Sequence, residues 1–451
     1  MPMPCSTCWP RGCALSRYPD RMGFPDLLPV RQNLPDHALQ DVAGEVRRQL
    51  TLAGFAARVP PGARIAIGAG SRGISNIATI VRAVVDYWRE AGCRPFIFPA
   101  MGSHGAATAE GQALVLAHYG IDESAMGCPV VSSIEVVPLG RTADGIETFM
   151  DRNAWGSDGV LLVGRVKPHT DFAGRLESGL CKMMAIGIGK FAGARQYHTF
   201  AYRLGMEHVI RTVGRQVLAS GKMLGGLAIL EDGRHQTAHL EAVPAGTMES
   251  REEELLAIAK EWAPRIPVRN LDLLVVNEIG KNISGTGLDA KVINRSIDGP
   301  LNCWPGVETR IERIFLRDLS ELSYGNGVGI GMADVIHDRI LSRIDWNATW
   351  INSLTASTPA GSRTPIHFPS DRECMERIAP TVGKPDTSRI TVGWIQNTLE
   401  LSEMLLSENL RREIEENPDL EITGPPQPVE FDAAGNLTGS PLRAVPAGEL
   451  C

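Results

Sequence analysis

From Leu34 onward the chain alternates short β-branched runs with longer amphipathic stretches, and this alternation limits its fold more than any other feature. Segments of strand period followed by segments of helix period build α/β layers, since each strand needs helices to cover its apolar faces. RIAIG at Arg64 to Gly68 reads as a buried strand. Ser75 to Ala91 reads as a helix with Ile77, Ile80, Val81, Val84 and Val85 on one face, and RPFIFP at Arg94 to Pro99 as the next strand, completing a βαβ unit. Gly159 to Val166, Gly225 to Leu230 and Leu271 to Asn277 continue the strands, with helices expected at Met206 to Leu218 and Met248 to Trp262. Such spacing predicts a mainly parallel sheet.

APRIPVRN at Ala263 to Asn270 carries two prolines that interrupt a helix and impose extended backbone on the residues before them. A domain boundary is expected there. Beyond it, Thr309 to Leu316 and Arg389 to Ile395 read as strands, Leu401 to Glu416 as a helix with a charged face, and FDAAGNLTG as one late turn. The expected division is an unstructured tail over 1–33, an N-terminal α/β catalytic and cofactor-binding domain over 34–268, a second α/β domain over 269–442 and a short tail over 443–451. The opening stretch holds Cys5, Cys8 and Cys13, but its one CxxC pair has no second pair at finger spacing, so it reads as tail rather than metal site.

The chain has 45 Lys and Arg against 52 Asp and Glu, a net charge of -7, which argues against a dedicated nucleic-acid or anionic-membrane binder. No stretch of about 20 residues is apolar enough to span a bilayer. Nine scattered cysteines are too few for a disulfide scaffold and point to a reducing cytoplasm.

Four segments put reactive or anion-binding groups at the ends of expected strands, where open α/β sheets hold ligands. In GAGSRG, Gly68, Gly70 and Gly73 satisfy G-x-G-x-x-G between a strand and a helix. Amides around Gly70 and Ser71 would cradle an anion and Arg72 would add charge, although the next strand ends without the acidic residue that grips a ribose. PAMGSHGAAT offers His104 in a loop of small residues, able to move a proton near neutral pH. GRVKPHTDFAG offers Lys167 and His169. SGLCKMMAIGIGKFAGARQYH offers Lys182, Lys190, Arg195 and His198, at spacings that match no usual zinc motif and no P-loop. These groups describe an enzyme for a small anionic substrate, with proton-moving histidines and one imidazole able to hold a borderline metal. His118, His208 and His337 are expected in helices in structural roles, Trp350 and Trp394 as packing residues, and Cys181 on extended backbone pointing away from Lys182.

In PAMGSHGAATAEGQ, KPHTDFAG, SGLCKMMAIGIG with GARQYH, and NEIGKNISGTGLDAKVINR, the chain resembles the nickel-dependent lactate racemase family and its relatives that act on other 2-hydroxy acids, from about Val46 to Leu442. The resemblance implies a nickel-pincer nucleotide covalently attached through Lys182, with nickel also bound by His198. It implies His104 and His169 as the acid/base pair, Arg72 as the arginine of the first loop, and Lys291 as a holder of the substrate carboxylate. Its implied partners are a small 2-hydroxy acid and the enzymes that make the cofactor, with no nucleic acid and no membrane. Two departures fall where substrate would be recognised: the longer stretch TDFAGRLESGLC, with Arg175 and Glu177, and SGTGLDAKVINR, which lacks an aromatic residue and a glutamine before its lysine. They imply a substrate bulkier than lactate or one with a second polar group.

The resulting expectation is an α/β protein of two domains with mainly parallel, Rossmann-like sheets and a site in the interdomain cleft, acting as an isomerase that racemises or epimerises a 2-hydroxy acid. The rival readings are a nicotinamide-dependent oxidoreductase using GAGSRG and a non-catalytic protein that binds the nickel nucleotide.

Overall fold

The computed structural model describes residues 23–70 and 73–438. The expectations for Cys5, Cys8, Cys13, Ser71, Arg72 and the tail over 443–451 lie outside the described residues. In chain order, β1 (Leu27–Gln32) is followed by β2 (Arg64–Ala69), β3 (Arg94–Pro99), β4 (Val136–Arg141), β5 (Glu147–Asp151), β6 (Gly159–Arg165), β7 (Met223–Glu231) and β8 (Thr237–Pro244). Then come β9 (Asn270–Ile279), β10 (Arg310–Leu319), β11 (Val335–His337), β12 (Ile366–Phe368), β13 (Val392–Ile395), β14 (Glu403–Ser407) and β15 (Leu420–Ile422).

A five-stranded sheet runs β3-β2-β6-β7-β8, parallel except for β8. Its central strand β6, GVLLVGR, is buried at every position but the last, as a strand covered on both faces must be. Alternate residues divide between two cores: Ala66, Phe98, Val160 and Leu162 face one side, Ile65, Ile67, Ile97, Leu161 and Val163 the other. The helix Met206–Ala219 closes the first side with Val209, Ile210, Val213 and Val217, and the helix Ile77–Glu90 closes the second with Ile80, Val81, Val84 and Trp88. Truncating Leu161 to Ala in this setting would cost about 2–5 kcal/mol.

An eight-stranded sheet runs β12-β11-β10-β9-β13-β14-β1-β15, with β12 to β13 parallel and β14, β1 and β15 antiparallel to their neighbours. β4 and β5 form a separate hairpin. The chain is therefore α/β with mainly parallel sheets.

Three expectations are corrected here. Residues 27–32, assigned to a tail, form β1 between β14 and β15, with Leu28 and Val30 in the core. Leu401 to Glu416 is not one helix: Glu403–Ser407 is β14, followed by a 3-10 turn at Glu408–Leu410 and a short α-helix at Arg411–Glu415. Met404, Leu405 and Leu406 are all buried because β14 is sandwiched by core on both faces. His337 lies in β11 rather than in a helix.

In the five-stranded sheet the chain steps from β2 outward to β3, then returns to the other side of β2 with β6. The order reverses between β2 and β6, which opens a crevice at their carboxyl ends. The segments leaving those ends are the GAGSRG loop and KPHTDFAG.

Candidate functional site

The segment after β6 carries Lys182 and His198. Leu180–Lys182 forms one helical turn, Met183–Gly187 continues as a π-helix, and Lys190–Leu204 as a regular helix. A π turn is rare and occurs mostly at functional sites. Met183 fits here because Gly164 of β6 has no side chain: a Cβ there would lie 2.2 Å from the Met183 sulfur, which also sits 3.9 Å from where a Cβ on Gly70 would be. Gly187 lets the backbone approach the loop after β3, since a Cβ would come within 2.5 Å of the Ala100 carbonyl, and its own carbonyl accepts from the Gly102 amide at 3.1 Å. The loops bearing Gly70, His104 and His169 thus all border the segment carrying Lys182 and His198.

Lys182 and His169 are brought together around Phe172, and His198 lies close enough to Lys182 to feel its charge. The His169 and Phe172 rings lie 4.3 Å apart, and the Lys182 ammonium stands 5.9 Å from the Phe172 ring centre. Burial pushes His198 down to about 4, and the neighbouring Lys182 charge adds to the shift. Its imidazole is therefore neutral at pH 7, the form that binds metals. The His169 Nδ1 accepts from the Asp171 amide at 3.0 Å, so the neutral ring carries its proton on Nε2.

His198 is oriented by the buried face of its helix. Lys190, Gly193, Ala194 and Tyr197 point inward, and the Tyr197 hydroxyl accepts from the Phe149 amide of β5 at 3.0 Å. Behind Lys182, Glu252 of the helix Met248–Trp262 accepts from the Cys181 amide at 2.8 Å, and burial pushes its carboxyl up to about 7. Cys181 is helical rather than extended as expected, and it is buried; burial and Glu252 raise its thiol well above the ordinary value, so it is inert.

Sequence reading missed one carboxylate here, Asp171, and expected another, Glu177, to face substrate. Burial pushes Asp171 up to about 6, with repulsion from Asp298 adding to the shift and Lys182 opposing it. Glu177 has no exposed surface, and it accepts from the His169 amide at 2.5 Å and the Gly174 amide at 3.1 Å. It also pairs with Lys260 at 2.6 Å and with Lys291 at 2.5 Å. Burial alone would raise Glu177, but the two lysines and the amides outweigh it and hold the carboxyl below its ordinary range. Asp171 had a legible signal, lying two residues after His169; the role of Glu177 as a buried hub had none, because Lys260 and Lys291 come from distant segments.

Several of the expected residues have partners within the chain. Lys291, expected to meet a substrate carboxylate, has its ammonium on Glu177 and 5.7 Å from the Trp304 ring centre. Arg175 is an exposed side chain paired with Glu253, and Glu177 is fully engaged by protein groups, so neither is placed to read a substrate. Arg195 is exposed and Lys190 fully buried. In the expected anion cradle, the Ser75 amide donates to Glu231 at 2.8 Å, and Glu231 pairs with Arg165, so an internal carboxylate takes part of it. Trp394 is buried with its indole N–H on Asn277, whereas Trp350 is 53% exposed. Among the described residues no three His, Cys, Asp or Glu side chains gather as a metal cage. No described helix is long and apolar enough to cross a membrane.

No protein-family model and no curated protein matches the chain. Among solved structures it is similar to the lactate racemase apoprotein from Thermoanaerobacterium thermosaccharolyticum, at 14% identity and a TM-score of 0.47, over 81% of this chain and 99% of that one. It is also similar to a protein from Thermotoga maritima, at 12% identity and a TM-score of 0.48, over 73% of this chain and 84% of that one. With values this low, the fold assignment rests on the strands themselves.

Proposed function

We propose that the chain racemises or epimerises a 2-hydroxy acid, using a nickel-pincer nucleotide attached through Lys182. The observation that carries this reading is the placement of Lys182 beside the His169–Phe172 pair and within electrostatic reach of a buried, neutral His198. These residues fit the group. An amine in partly buried surroundings suits covalent attachment, and a neutral imidazole suits nickel as it suits other borderline metals. The lack of a protein-only cage among the described residues fits a metal whose other ligands come from an organic group.

Lys182 and His198 would hold the group, which would supply a reversible hydride acceptor for C2 of the substrate. The chain's own residues handle the proton and the carboxylate. His169 meets the substrate oxygen through Nε2 and donates to it in the neutral form; to take a proton there, the ring gives up its contact with the Asp171 amide. His104 serves the other enantiomer, because each hand of the substrate must be able to lose its hydroxyl proton. Lys291 keeps N–H donors beyond the one on Glu177 and shares its charge with the substrate carboxylate. Arg72 adds a second cation on the strength of the sequence.

The test is intact mass and metal analysis of the chain co-expressed with cofactor-synthesis enzymes, beside Lys182→Ala. A covalent adduct with about one nickel per chain, absent from the variant, together with inversion of a 2-hydroxy acid, is the expected result. His104→Ala combined with His169→Ala should load nickel and invert nothing. If the parent chain gains neither mass nor nickel under loading conditions, the reading fails.

A further inference from the structure

The loop that presents His104 has an unfavourable backbone. Gly102 and Gly105 have φ of 61° and 62°, and Ala106 and Ala107 follow at 54° and 56°, in the left-handed region that non-glycine residues avoid. Such a loop keeps its shape only if something outside it fixes its carbonyls. Gln112, with no exposed surface, donates from Nε2 to the Gly102 carbonyl at 2.9 Å and to the His104 carbonyl at 3.3 Å. Its amide cannot be reversed, because Oε1 accepts from the Lys190 ammonium at 3.2 Å, and an ammonium has only donors. Lys190 is itself buried and fixed: it donates to the carbonyl of Pro99, the last residue of β3, at 2.5 Å and faces Asp151 of β5 at 3.2 Å.

We propose that Gln112, oriented by Lys190, is a positioning residue that sets the His104 imidazole for its acid/base role, an inference that rests on the racemase reading above. Asp151 balances the lysine charge, Lys190 fixes the amide, and the amide fixes the two carbonyls flanking His104. The network touches neither the substrate nor Lys182; it acts through the loop.

The test compares backbone hydrogen–deuterium exchange of the unloaded chain in the parent, Gln112→Glu and Leu116→Ala. Gln112→Glu keeps the volume and the partner for Lys190 but faces both carbonyls with an oxygen in place of a donor. Amides over 102–108 should exchange about tenfold faster in it, while Leu116→Ala, a buried residue of the same helix, should weaken the domain without singling out this loop. In the loaded enzyme, kcat of Gln112→Glu should fall about tenfold or more with KM within about twofold, since the substrate anchor is untouched. If Gln112→Glu does not fold, Gln112→Met gives the same comparison. Unchanged exchange over 102–108 in a folded variant overturns the clamp. Faster exchange in a chain whose parent, loaded with nickel, inverts no 2-hydroxy acid keeps the clamp and overturns its catalytic purpose.

Discussion

Glu177 stands 2.5 Å from the ammonium of Lys291, and the same carboxylate oxygen accepts from the His169 amide at 2.5 Å. One buried carboxylate therefore ties a loop of the five-stranded sheet to the segment that follows β9 of the eight-stranded sheet. Removing one member of a buried ion pair leaves the other charge unpaired in low dielectric, at about 3–5 kcal/mol. Glu177→Gln should lower the free energy of unfolding by a loss on that order. Denaturant titration checks it, and a change below about 0.5 kcal/mol would show that the hub contributes little.

His198 should remain neutral well below the usual range of an imidazole. Its value in the folded chain is about 4 against an ordinary 6.5, so folding excludes the proton. The stability this group contributes is complete above pH 6.5 and is lost as pH falls toward 4. Ring carbon shifts of His198 followed by NMR in the unloaded chain should show a midpoint near 4. A midpoint at or above about 6 would contradict the burial and the nearby Lys182 charge.

Glu252 shifts the other way. Its carboxyl is raised from 4.5 to about 7 by burial, so folding takes up a proton. The stabilisation is present below pH 4.5 and disappears as pH rises through 7. Over that interval the loss is on the order of 3 kcal/mol. Between pH 4.5 and 6.5 this slope opposes that of His198, so the two are best separated by variants. Glu252→Gln, which keeps an acceptor for the Cys181 amide, should abolish the fall in melting temperature between about pH 5 and 8. A Gln variant that declines as the parent does would rule Glu252 out as the source.

Among the described cysteines Cys303 is exposed, while Cys93, Cys128, Cys181 and Cys374 are buried. Burial pushes Cys128 up to about 11 and Cys374 up to about 12. Brief iodoacetamide treatment of the native chain at about pH 8, followed by peptide mapping, should modify Cys303 and spare the other four. Labelling of Cys181 would mean that the Lys182 segment opens in solution.

What the sequence made legible follows from burial. β2, β3, β6 and β9 were readable because parallel strands covered on both faces are continuous apolar runs. β14 was not, because Leu401, Met404 and Leu405 fit the i, i+3, i+4 face of a helix as well as a short buried strand. β1 was missed since its hydrogen-bond partners, β14 and β15, lie at the far end of the chain. In the site, the histidines and Lys182 stood out at strand ends, whereas Glu252 and Gln112 look like ordinary surface residues locally, and nothing local marks Glu177 and Lys190 as buried. Only tertiary contacts from Lys260, Lys291, Cys181 and Asp151 make their burial tolerable.

The place of β1 also bears on how the molecule is made. Leu27–Gln32 is made well before its neighbours Glu403–Ser407 and Leu420–Ile422. The five-stranded sheet, built wholly from residues 64–244, can fold while translation continues. β1 has to wait through that interval with its ladder groups unpaired, so the eight-stranded sheet closes after the five-stranded one, and its closure reports that the chain has been made through Ile422.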